Sequence, residues 1–131
     1  MQEYIVQGSL PLTHGSLLRI EDGRHLLVYV WEGELWLTEA GERRDRIVRA
    51  GEWHRLERDG AAVGYALERS VVTLTAPAPE GFARRIVLTR AGSSQPVTLY
   101  DAARERSFGA RLRRWWVTLF ASHARPSTAA Y

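Results

Sequence analysis

The sequence predicts an all-β, antiparallel fold followed by one amphipathic helix. Three observations point there. Short runs rich in β-branched and aromatic residues recur at roughly 8–12-residue spacing. Glycine-bearing turns separate them, at Asp22-Gly23, Glu32-Gly33, Ala40-Gly41, Ala50-Gly51 and Asp59-Gly60. Beyond Pro96 the apolar pattern changes from a period of about 2 to one of about 3.6.

Taken in order, residues 2–7 form a first short strand, which Pro11 and Thr13-His14-Gly15 separate from the next. Residues 16–20 form a second strand, ended by Glu21-Asp22-Gly23. The stretch 26–38, LLVYVWEGELWLT, reads as a hairpin whose two-residue loop is Glu32-Gly33, because such loops need the positive φ that glycine supplies. That reading opposes Trp31 to Glu34, Val30 to Leu35, Tyr29 to Trp36 and Val28 to Leu37. One face is then aliphatic (Val28, Val30, Leu35, Leu37). The other carries Leu27, Tyr29, Trp31 and Trp36, and so needs a cover. Further strands occur at 45–49, 53–57, 62–67, 70–75 and 84–89, and Gly92–Pro96 reads as a connector.

In the last part Phe108, Leu112, Trp115, Trp116, Leu119 and Phe120 share one helical face across an arc of roughly 140°. Asp101 is the expected N-cap. The organisation expected is a β domain over 1–90, a connector over 91–97, a helix over 98–122 packed on the β domain or on a partner subunit, and a tail over 123–131.

A chain of 131 residues, 45% apolar and 25% charged, has the size and composition of one globular domain. It has no cysteine, which excludes disulfides and thiolate metal sites. No run approaches the roughly 20 apolar residues of a membrane span, and no signal-peptide pattern opens the chain, so a cytoplasmic protein is expected. Every basic residue is Arg. Residues 1–76 hold 9 Arg and 12 acids, net −3, whereas 77–131 hold 9 Arg and 3 acids, net +6. Such asymmetry is a signal for a partner.

At residues 29–56 the sequence YVWEGELWLTEAGERRDRIVRAGEWHRL carries a glycine turn between two strands, a second glycine loop and an AGE turn leading to another strand. Gly33, Trp36-Leu37-Thr38, Gly41, Asp45, Gly51-Glu52 and Leu56 together resemble a group of small proteobacterial cupin-like domains, over about half the chain. The resemblance implies a small cupin-like antiparallel β-barrel or jelly roll, often dimeric, and no particular activity. Metal-binding cupins place a Glu and two His ahead of the hairpin glycine. Here the Glu position is Leu26, and the earlier positions are Ile20 and Asp22, or Arg19 and Glu21. The corresponding second-motif positions are Glu57, Asp59 and Ala62. No metal site and no cofactor are therefore expected, although His25 adjoins the lost Glu position.

No phosphate-binding glycine loop and no nucleophile elbow occurs. His54 sits on a strand, Asp45 fits a turn, and Glu32 and Glu34 flank a loop. No catalytic residue is assigned. The leading expectation is a non-catalytic binding or regulatory module, homodimeric, with a small molecule as a further candidate ligand. A metal-independent isomerase is the first alternative; it needs a His and a Tyr or carboxylate in one pocket, and the candidate ligand residues are His25, Tyr29, His54 and Tyr65. The second alternative is a membrane-surface or nucleic-acid adaptor working through Arg111, Arg114, Trp115 and Trp116. A net charge of +3 does not favour nucleic acid.

Overall fold

Alternating apolar residues need two surfaces to bury against, and the chain satisfies this with two antiparallel sheets around one aliphatic layer. The computed structural model describes residues 4–5, 8–76 and 83–104. The strands in chain order are β1 (Tyr4–Ile5), β2 (Leu10–Leu12), β3 (Leu17–Glu21), β4 (Leu27–Glu32), β5 (Glu34–Glu39), β6 (Arg46–Arg49), β7 (Trp53–Arg55), β8 (Ala61–Ala66), β9 (Ser70–Ala76), β10 (Arg85–Thr89) and β11 (Val97–Asp101). The smaller sheet runs β1-β9-β4-β7, with β2 also on β9; the larger runs β11-β10-β3-β8-β5-β6. The fold class is thus all-β. The two sheets do not close into a barrel.

The central hairpin is corrected. β4 pairs with β7 and β9, β5 pairs with β6 and β8, and the two strands lie in different sheets. Glu32-Gly33 is therefore a corner at which the chain passes from one sheet to the other. Gly33 has φ +84°, and a Cβ there would stand 2.4 Å from the Arg69 carbonyl oxygen and 2.3 Å from Ser70 Oγ. Turn chemistry alone cannot separate a hairpin from a corner, because both need positive φ. The side-chain alternation is the same in either case, so the aliphatic face is where it was expected: Val28, Val30 and Leu35 are fully buried and Leu37 nearly so.

Leu12, Leu18, Ile20, Leu26, Leu56, Val72, Leu74, Ile86 and Leu88 complete the layer between the sheets. On the outer face of the smaller sheet Tyr29 and Trp31 pack together at 4.5 Å between centroids. Trp31 Nε1 donates to Thr73 Oγ1 at 2.7 Å, and Thr73 Oγ1 donates to the Gly8 carbonyl at 2.7 Å. Thr73 and Thr75 point outward yet are buried. The chain near Gly8 and the lying-down Trp31 thus cover part of this face.

Two further segments differ from the sequence reading. Pro11 belongs to β2, which bonds β9 on one side only, the edge position in which a missing N–H costs nothing. Residues 97–101, placed in the connector and the helix by periodicity, pair with β10 as β11. The capping role expected of Asp101 is present: its Oδ1 accepts the Ala103 amide at 3.0 Å, at the head of a helical turn over 102–104. The rest of the expected helix, with Arg111, Arg114, Trp115 and Trp116, and the tail lie outside the described residues. Among the described residues no helix is long and apolar enough to cross a membrane.

Candidate functional site

Along β5 the inward positions are Leu35, Leu37 and Glu39, so alternation carries one carboxylate into the space between the sheets. On β7 His54 is opposed to the buried Val28 and shares its inward face. The two meet across the sheets, with His54 Nε2 donating to Glu39 Oε2 at 2.9 Å. Glu39 Oε1 accepts the amides of Glu57 at 2.9 Å and Arg58 at 3.2 Å. Burial alone would raise this carboxyl; the His54 hydrogen bond and the two amides outweigh it and hold it below the usual carboxylate range.

A histidine oriented by a carboxylate is the core of many acid–base sites. Here both carboxylate oxygens are engaged, the imidazole is only 12% exposed, and the surrounding interior is aliphatic. The pair acts as a clip that fastens the 57–58 bend to β5 and ties one sheet to the other. Among the described residues no three His, Asp or Glu side chains gather closely enough to hold a metal ion.

The four candidate ligand residues occupy four separate places. His25 lies in an exposed turn at φ +77°, its amide donating to the Leu56 carbonyl at 2.7 Å. Tyr29 is on the outside of the smaller sheet, His54 is inside, and Tyr65 is on the outside of the larger sheet. No common pocket unites them.

Tyr65 does belong to a group that the sequence reading did not assemble. Strand register aligns Ile47 with Trp36, Trp36 with Tyr65, Tyr65 with Leu17 and Leu17 with Thr89. These five residues form one straight row across five neighbouring strands, on the outer face of the larger sheet. Ile47 is 42% exposed, Trp36 43% and Leu17 40%. Tyr65 meets Trp36 edge-on at 84° on one side and His14 at 78° on the other. The next row, Thr38, Val63, Arg19 and Val87, is mixed.

A further step along the strands the face becomes ionic. Glu21, 7% exposed, accepts from Arg84, from Arg85 at 3.2 Å and from Arg19 at 3.3 Å. Burial pushes the Glu21 carboxyl up, but the Arg85 and Arg19 guanidiniums outweigh it and hold it low. Asp22 is also lowered, by Arg84 first and then by the Gly60 amide. This cluster fastens β3 to β10 and leaves the apolar row at the opposite end as the unmatched part of the face.

Leu17, Trp36 and Ile47 were individually visible as apolar positions, but only the strand order β3-β8-β5-β6 brings them into line. Glu39 had a signal in the sequence: a charge in the apolar phase of a strand. No protein-family model matches the chain, and no curated protein matches it.

Proposed function

We propose that this chain is a non-catalytic binding or regulatory module of the cupin-like, jelly-roll kind, and that it meets a protein partner with the outer face of its larger sheet. The observation that carries this reading is the exposed row Ile47–Trp36–Tyr65–Leu17. Contiguous apolar surface rimmed by polar groups marks interaction sites, because exposed apolar side chains gain free energy when a partner removes them from water. Trp and Tyr are also the residues that most often anchor interfaces. The edge-on packing of Trp36 against Tyr65 presents a ridge rather than a flat stacking platform, which suits an apolar protein surface better than a sugar ring or a base. The acidic and basic side chains of this face are largely engaged with one another, which disfavours nucleic acid. The interior argues the same way, since its His54–Glu39 pair is committed to holding the 57–58 bend.

The test uses the whole chain as bait in an extract of its source cells, beside the double variant Leu17→Arg/Trp36→Glu and a control, Arg55→Glu, on the other sheet. A partner held by the wild type and the control and lost by the double variant, with folding unchanged by circular dichroism, is the expected result. A wild type that enriches nothing beyond the double variant overturns the binding face. One tightly held transition-metal ion per purified chain overturns the metal-free reading.

A further inference from the structure

The charges around the apolar row are not equally matched. Beside the row Glu34 takes Arg49 at 3.2 Å, and at the far end of the face Glu21 takes Arg19, Arg84 and Arg85. The connection from β5 to β6 differs. Residues 42–49 read ERRDRIVR, and all of them except Val48 are exposed. Glu42 is already engaged by Arg58 at 3.7 Å. Among the described residues Arg43, Arg44 and Arg46 form no ion pair. With Asp45 set against them, three Arg and one acid leave +2 over residues 43–46.

Strand geometry fixes where that charge stands. β6 bonds only β5 and is an edge of the larger sheet. Ile47 opposes Trp36 and ends the row, and Arg46, the residue before it, opposes Leu37. Arg46 thus follows the inward phase, but an edge strand has no neighbour beyond it, so a long side chain carries its charge round the edge into water. From Arg43 to Ile47 the chain can span at most about 14 Å. The positive loop therefore adjoins the Ile47 end of the row, within reach of a single partner segment.

An acidic partner gains twice on such a surface. Its apolar side chains leave water against the row, and its carboxylates meet guanidiniums that give up no existing ion pair to receive them. A basic or neutral partner gains only the first. A second copy of this chain brings the same surplus of Arg. A nucleic acid finds no flat stacking platform in the edge-on Trp36–Tyr65 pair. We infer that the partner of this face is an acidic, amphipathic protein segment, its apolar side chains on the Leu17–Tyr65–Trp36–Ile47 row and its carboxylates on Arg43, Arg44 and Arg46. The inference rests on the binding-face reading and adds to it the partner's charge and direction, with the acidic end toward β6.

The test lets the protein choose. The full chain is immobilised and selects from a displayed library of random peptides about 16 residues long, enough for a helix of about 24 Å. Leu17→Arg/Trp36→Glu and Arg43→Glu/Arg44→Glu/Arg46→Glu select in parallel, with folding checked by circular dichroism. The expected wild-type set combines apolar residues with a surplus of about two or more acids. The double variant loses it, and the triple variant selects the opposite sign. The best wild-type peptide, followed by fluorescence anisotropy, should bind roughly tenfold more weakly to Arg43→Gln/Arg44→Gln/Arg46→Gln, and roughly tenfold more weakly to the wild type when NaCl rises from about 50 to about 500 mM. Peptides that need Leu17 and Trp36 but show no charge bias, or keep the same bias on the triple variant, overturn the inference and leave the binding-face reading standing. Peptides held equally by the double variant overturn both. Enrichment of nothing overturns the inference, while the extract experiment still decides the binding face on its own. A single-stranded RNA bound more tightly than the best peptide at about 150 mM NaCl overturns it by giving the loop to nucleic acid. A concentration-dependent dimer lost in the double variant overturns it by giving the face to a second copy.

Discussion

Replacing Gly33 by Ala tests the corner on which the two-sheet arrangement depends. Two costs are foreseeable. The residue sits at φ +84°, where an L side chain loses about 1–2 kcal/mol. The new Cβ would also lie 2.4 Å from the Arg69 carbonyl oxygen and 2.8 Å from Ser70 Cα, both backbone atoms that cannot swing away. Relief requires β9 to move from the corner. That strains the contacts of Ser70 Oγ, which accepts the Glu34 amide at 3.2 Å and donates to the Glu68 carbonyl at 2.8 Å, each worth about 1 kcal/mol. The expected loss is about 3–5 kcal/mol, or roughly 10–20 °C in Tm for a domain of this size. Gly41 and Gly51 provide the control: both have φ +86° and nothing within 4 Å of where a methyl would stand, so Gly41→Ala and Gly51→Ala should cost only the backbone share, about 1–2 kcal/mol. Urea denaturation followed by Trp fluorescence reads all three. If Gly33→Ala is no worse than Gly41→Ala, the close approach of β9 to the corner is wrong, and with it the passage from sheet to sheet at that point.

Glu39→Ala should destabilise by about 2–4 kcal/mol in the same assay, because the Glu57 and Arg58 amides and His54 lose their acceptor together. Glu39→Gln should cost less and should also flatten the acid side of the stability curve. The folded Glu39 carboxyl is held below its ordinary value, so its contribution is complete above about pH 5 and is lost as pH falls through the lowered folded value. An acid limb as steep in the Gln variant as in the wild type would assign that loss to other carboxylates. Trp31→Phe, which removes the N–H given to Thr73, should cost about 1–2 kcal/mol in thermal melts; no loss would mean that the Gly8 crossing holds without the indole.

Much of the fold was legible because a strand declares itself through local chemistry. Alternation and turn glycines located β3 through β10 and assigned Val28, Val30, Leu35 and Leu37 to the core. Pairing is not local, and there the sequence reading erred at residues 26–38. Nothing in LLVYVWEGELWLT distinguishes a chain that returns beside itself from one that crosses to another sheet, since side-chain parity is preserved in both. Residues 97–101 were misplaced for a related reason. Val97, Thr98, Leu99 and Tyr100 suit a strand by composition, but they adjoin a helical stripe and were absorbed into it. The surface row was less legible still. Leu17, Trp36, Ile47 and Tyr65 are separated by as many as 48 residues of sequence and become neighbours only through the order of four strands.

The same geometry is why the binding reading is proposed ahead of the isomerase one. An enzyme of the isomerase type needs its His, Tyr and carboxylate to converge, and the fold sends them apart: Tyr29 and Tyr65 face opposite outer surfaces, His25 sits in a turn, and His54 is tied to Glu39 inside. What converges instead is apolar. Three side chains that would each gain by leaving water stand in line with a tyrosine on a face whose charges are largely paired with one another. On the reading proposed above, the face is a contact surface whose occupancy a partner would change.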